Sequence, residues 1–183
     1  KPSELTPLSA LELAAAADAI GLPAGVLNVL PGLGAEAGGP LSQHPGVDKL
    51  AFTGSVPTGR AIMQAAAQDI KNVSLELGGK SPNIIFADAD LDSAINGAVA
   101  GIYAASGQSC VAGSRLLVQD EIYDEFVARL VERAQRIRIG NPQDEQSEMG
   151  PMATAQQLAV VEGLVADALA EGARLRLGEI GRA

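Results

Sequence analysis

The chain has 183 residues, 47% of them hydrophobic, with one cysteine, no tryptophan and a formal charge of −9. That apolar fraction excludes a disordered polar chain, and the acidic balance argues against nucleic acid or an anionic membrane surface as the main partner. One cysteine cannot form an internal disulfide, which points to a reducing, cytoplasmic setting, and no stretch approaches the roughly 20 apolar residues of a membrane span.

The chain opens on "KPSE", without a methionine, and then turns helical over residues 9–20. Ser9 followed by Glu12 has the spacing of a capping box, and Gly21 and Pro23 supply the stop. A short apolar run at 26–30 reads as a strand, and "GLGAEAGG" at 32–39 follows it. The next strand is expected at 47–53, turning at Gly54 into a helix over 56–67, and another strand at 72–77. After Gly78-Gly79 the alternation restarts: "PNIIFAD" as a strand, an Ala-rich helix over 91–106, "RLLVQ" as a strand and a helix over 121–138. In that last helix Ile122, Phe126, Leu130, Ala134 and Ile137 share one face. A polar loop leads to a further helix with Leu158, Val161, Val165 and Leu169 inward, and "ARLRLG" closes as a strand. Helices alternating with short strands predict an α/β fold built on parallel sheet. The Gly-Gly pair and Ser-Pro step in "ELGGKSP" mark a boundary between two series of units.

Cys110 sits among Gly107, Gln108, Ser109, Gly113 and Ser114 rather than in an apolar run. Small neighbours leave a sulfur open to a substrate, so a nucleophile and a tolerated loop cysteine are the two readings. Glu76 ends an apolar strand between Leu75 and Leu77. Desolvation there would raise a carboxyl towards the range of a general base; the alternative is a strand-end glutamate facing water. The only histidine, His44, lies in the turn "SQHPG" and reads as loop polarity, and with one His and one Cys no transition-metal site is expected. "FTGSVPTG" carries a strand through a Gly-Ser turn into a helix, where backbone N–H groups and the Ser55 hydroxyl suit a phosphate. The glycine-rich stretch holding Gly34 and Gly38 follows a predicted strand, as phosphate loops do, but is not a G-x-G-x-x-G. Lys1 and Glu4 have the types that pair with a ribose, and a glutamate there would repel a 2′-phosphate.

"KPSE", "FTGSVPTG", "LELGGKSP", "GQSCVAGSR" and "GNPQDEQSEMGPM", in this order, resemble the NAD(P)-dependent aldehyde dehydrogenase superfamily over essentially the whole chain. The resemblance implies that residues 1–76 are the C-terminal part of a Rossmann-like NAD-binding domain and 77–183 the N-terminal part of an α/β catalytic domain. It implies Cys110 as the nucleophile, its N–H as an oxyanion donor, and Glu76 as the base that hydrolyses the thioester. Lys1 and Glu4 match the adenosine-ribose contact. Gly34, Gly38, Gly54, Ser55 and Gly59 match the remaining cofactor-binding stretches, the last three at the pyrophosphate, and Leu77 matches a neighbour of the nicotinamide amide. The cofactor implied is NAD, with NADP as the alternative, and the partner is a small aldehyde. The chain would then be the central third of a longer enzyme, inactive by itself, whose full-length form is a homodimer or homotetramer. A CoA-acylating enzyme and a catalytically idle relative are the rival readings; Glu76 disfavours the first, and Glu76 with Cys110 the second.

Overall fold

A computed structural model describes residues 1–178, in two compact units divided between Leu77 and Gly78.

The first unit opens with helix α1 (Leu8–Ala19). Its N-cap is Pro7, with no side-chain cap, so Ser9 lies inside the first turn and the expected capping box does not form. The Pro7 carbonyl already accepts from Ala10 and Leu11, which starts the helix before the Ser9 hydroxyl could. The strand expected at 26–30 is also absent. Val26, Leu27 and Leu30 are exposed, and no strand among the described residues pairs with them. A strand exists only where a neighbour takes up its backbone N–H and C=O groups. The chain continues through a π-helical turn, Gly34–Gly38, into the short helix α2 (Gly39–Gln43).

Strand β1 (Lys49–Gly54), helix α3 (Val56–Ala67) and strand β2 (Asn72–Leu77) then form one βαβ unit. The two strands pair in parallel, with Lys49 opposite Asn72 and Gly54 opposite Leu77. Ser55 caps α3, its side chain accepting from the Thr58 N–H, and Pro57 occupies the first turn, where no N–H is needed.

The return from α3 to β2 is held by Lys71. Its side chain is 2% exposed and pairs with Asp69 at 3.2 Å. Its ammonium donates to the carbonyls of Ser42 (3.1 Å) and His44 (2.7 Å) at the end of α2. The preceding residue, Ile70, takes a left-handed φ of 55° that a β-branched side chain disfavours. Lys71→Met is expected to lower the stability of the protein by about 1–3 kcal/mol, because two carbonyls lose a charged donor. Urea unfolding reads this directly; an unchanged midpoint would show that α2 holds without the anchor.

The second unit pairs β3 (Pro82–Ile85) and β4 (Arg115–Val118) in parallel around helix α4 (Leu91–Tyr103). Asp90 caps α4 through a 2.9 Å bond from the Ser93 N–H. Helix α5 (Tyr123–Gln135) follows a 3-10 turn at Asp120–Ile122 and lays Phe126, which is wholly buried, on Ile85, Ile95 and Ala98. Ile122 and Leu130 flank that cluster, as the periodicity of this segment predicts.

Helix α6 (Ala155–Ala170) is capped by Thr154. Its expected inward residues Leu158, Val161, Val165 and Leu169 are instead 37–45% exposed. Periodicity establishes that they share a face; no other helix or strand among the described residues packs closely on it. Residues 173–178, expected as a closing strand, are irregular with a bend at 176–177 and have no pairing partner among the described residues.

Candidate functional site

In the first unit the candidate residues gather at the carboxyl end of β1. A Cβ on Gly54 would lie 2.5 Å from the end of the Phe52 ring, so a larger residue there would displace that ring. Gly59 is buried one turn into α3, and a Cβ on it would come 2.8 Å from a Leu77 methyl group, so its absence lets α3 settle on β2. Ser55 is exposed at the helix start. Its hydroxyl shares a 3.0 Å bond with that of Thr58 and receives the Thr58 N–H at 3.4 Å.

Beside this junction lies a cleft of about 960 Å³, walled by Lys1 and Glu4, the Gly34–Gly38 turn, α2, β1 and one face of α3 from Pro57 to Ala65. Its size is at the upper end of ordinary small-molecule sites, roughly 300–1,000 Å³. Lys1, Glu4, Gly34 and Gly38 line it, as do Pro57 and Thr58. Gly54, Ser55, Gly59 and Leu77 stand at the adjoining β1–α3 junction. Lys1 and Glu4 pair with each other, ammonium to carboxylate, at 3.1 Å. The Glu4 carboxyl is held below its ordinary range by its own backbone N–H, and further by the hydrogen bond and charge of Lys1. The cleft therefore presents a fixed negative charge with a cation on its flank.

Glu76 lies opposite Thr53 in the parallel ladder. Contrary to the desolvated environment its leucine neighbours implied, its side chain is exposed within this unit. The period of two explains the difference: Val73, Leu75 and Leu77 turn to the half-buried face, and Glu76 falls on the opposite one.

In the second unit Cys110 occupies an exposed turn between α4 and β4. Its N–H has no backbone hydrogen-bond partner among the described residues. Small neighbours leave the sulfur accessible, as the sequence implied. The approach to it was not foreseen. The helix expected to run to residue 106 ends at Tyr103, and Ala105 (φ 51°), Ser106 (φ 55°) and Gly107 (φ 72°) are left-handed in succession. Each non-glycine residue in that region costs roughly 1–2 kcal/mol, so contacts from elsewhere must hold it. They come from residues 150–153: the Ser106 hydroxyl donates to the Gly150 carbonyl (2.9 Å), and the Gln108 carboxamide oxygen accepts from the Ala153 N–H (3.1 Å). On the far side of the cysteine, the Gly113 N–H reaches back to the Gly101 carbonyl at 3.0 Å.

His44 is a loop residue, its Nδ1 accepting from the Gly46 N–H at 3.0 Å. Among the described residues no three His, Cys, Asp or Glu side chains gather to hold a metal. No helix among them is long and apolar enough to cross a membrane.

This arrangement matches one family model, that of the aldehyde dehydrogenase family, over residues 1–182. The chain belongs to the aldehyde dehydrogenase family. It is 50% identical over 179 residues to human retinal dehydrogenase 2, covering 97% of this chain and 35% of that protein. It is 49% identical over 178 residues to (Z)-2-((N-methylformamido)methylene)-5-hydroxybutyrolactone dehydrogenase of Acinetobacter baylyi, covering 97% of this chain and 36% of that one. Among solved structures, betaine aldehyde dehydrogenase of Staphylococcus aureus in complex with NAD+ superposes with a TM-score of 0.94 at 43% identity, covering 97% of this chain and 35% of that one. The chain spans about a third of the length of the curated relatives it matches. Its α/β architecture, with parallel strands in each unit, is that of the family. The relatives' names cover chemically different substrates at nearly equal identity, so similarity alone selects none of them for this chain.

Proposed function

We propose that the whole protein oxidises a small aldehyde to the carboxylic acid with NAD, the first unit contributing to the dinucleotide site and the second carrying the nucleophile. The observation that carries this reading is the family match across residues 1–182, with Cys110 and Glu76 both in place within it. The described cleft fits the adenosine half of a dinucleotide. It combines a carboxylate and an ammonium for ribose hydroxyls with the open, Ser55-capped start of α3 for a phosphate. NAD, when bound, supplies the hydride acceptor.

The Cys110 thiolate adds to the carbonyl carbon and forms a C–S bond, while the Cys110 N–H stands ready to donate to the developing oxyanion. Departure of the aldehydic hydrogen with its electron pair converts the thiohemiacetal into a thioester. Glu76 then takes a proton from water as the water oxygen attacks the thioester carbon. The C–S bond breaks, releasing the acid and returning Cys110 to its starting state. Replacing Cys110 is the direct test of the whole scheme.

Cofactor choice gives a second test. The charged Glu4 in the cleft wall disfavours a 2′-phosphate, so the protein is expected to prefer NAD to NADP. Glu4→Gln should narrow the ratio of kcat/KM values by about fivefold, since repulsion from a solvent-exposed carboxylate is modest. The change also frees Lys1 for the added phosphate. Equal use of both cofactors by the unaltered protein would refute the assignment.

A further inference from the structure

The three consecutive left-handed residues before Cys110 lie in a chain with few other positive φ angles outside glycine. Such a reversal needs support, and the structure provides it from a segment more than 40 residues later, through Ser106 to Gly150 and Gln108 to Ala153. That segment is itself tied down. The N–H groups of Glu148 and Met149 reach the Arg138 carbonyl at 2.8 and 3.2 Å. The Gly140 N–H returns to the Met149 carbonyl at 3.0 Å, and the Glu148 carboxylate accepts the Arg138 N–H at 3.0 Å. Residues 138–140 closely follow α5, which is anchored in the core by Phe126. A continuous path therefore runs from the buried core, through residues 138–153, to the two side chains on either side of Gly107.

We propose that Ser106 and Gln108 are positioning residues that set the direction of the Cys110 sulfur by pinning the left-handed 105–107 segment to residues 150–153. The proposal rests on Cys110 being the nucleophile. Neither side chain needs to touch the substrate. Ser106 acts through its hydroxyl proton, and Gln108 through its carboxamide oxygen. Removing either leaves the turn free to relax towards right-handed backbone angles, which re-aims a sulfur two to four residues away. A reactive group displaced by about 1 Å can lose on the order of 10² in rate.

The test uses the intact protein carrying Ser106→Gly, Gln108→Met, or both. Glycine accepts the left-handed backbone without strain, so Ser106→Gly removes the hydroxyl contact alone. Methionine keeps the length of Gln108 without a strong acceptor. Two readouts are taken well below each variant's Tm: alkylation of Cys110 by iodoacetamide, followed by mass spectrometry, and aldehyde oxidation with saturating NAD. Each single variant is expected to slow both alkylation and kcat by about tenfold, with KM for NAD unchanged, and the pair by about 10²-fold. Ser106→Asn, whose carboxamide tolerates left-handed angles and offers an N–H to the Gly150 carbonyl, should recover most of the loss. Alkylation and kcat at wild-type values in both single variants would overturn the proposal, as would losses that Ser106→Asn does not repair. A Cys110→Ser protein that still oxidises aldehyde would instead overturn the nucleophile assignment. The alkylation rates report on the thiol's placement in either case.

Discussion

Cys110→Ser in the intact protein is expected to lower aldehyde oxidation by at least about 10³-fold, followed by NADH absorbance at saturating NAD and aldehyde. A serine hydroxyl is a far weaker nucleophile than a thiolate and needs a paired base to attack at all. Among the described residues, Cys110 is exposed and has no basic hydrogen-bond partner. The sole histidine of the chain lies in the loop after α2, its Nδ1 already occupied by the Gly46 N–H. Because the cleft of the first unit is walled by residues far from 110 in the chain, NAD binding should survive, which fluorescence titration checks. Removing the nucleophile of a covalent mechanism costs orders of magnitude in kcat rather than in affinity. Turnover near wild type would end the role of Cys110, and with it the covalent route.

Glu76→Gln is expected to separate the two halves of the reaction. The amide keeps the size of the side chain but cannot take a proton from water. Addition of Cys110 and loss of the hydride should proceed, and thioester hydrolysis should slow by about 10²–10⁴-fold, the usual contribution of a positioned base. Stopped-flow mixing should therefore show a burst of NADH of about one equivalent per site, then a slow steady rate. Burst and steady rate falling together would place Glu76 earlier, in activating Cys110.

Much of the first unit was legible before any coordinates. The helix at Val56–Ala67 and the strand at Asn72–Leu77 have the bounds the sequence implies, because Ser55, Pro57 and the flanking turn residues act locally. The junction at the end of β1 was legible for the same reason: a strand, a Gly-Ser turn and a helix start are all encoded within a few positions. Cys110 stood out through the smallness of its neighbours, which no packing argument could explain.

What the sequence by itself determined was the alternation of helices and strands, the α/β class, the bounds of the helix after Ser55, and the periodic face that buries Phe126. These depend on residues within one or two turns of each other. Only the tertiary structure decided that 26–30 and 173–178 are not strands, since a strand needs partners that composition cannot supply. It also decided that the shared face of Leu158, Val161, Val165 and Leu169 is exposed, and that Glu76 lies on the open side of β2. Periodicity groups side chains but does not say which group is covered. The left-handed approach to Cys110 belongs to the same class. Its supports, Gly150 and Ala153, lie 44 and 45 residues from their partners. Over that separation the chain's own local preferences favour carrying the helix onward through Ser106, and only contacts made in the folded state turn it aside.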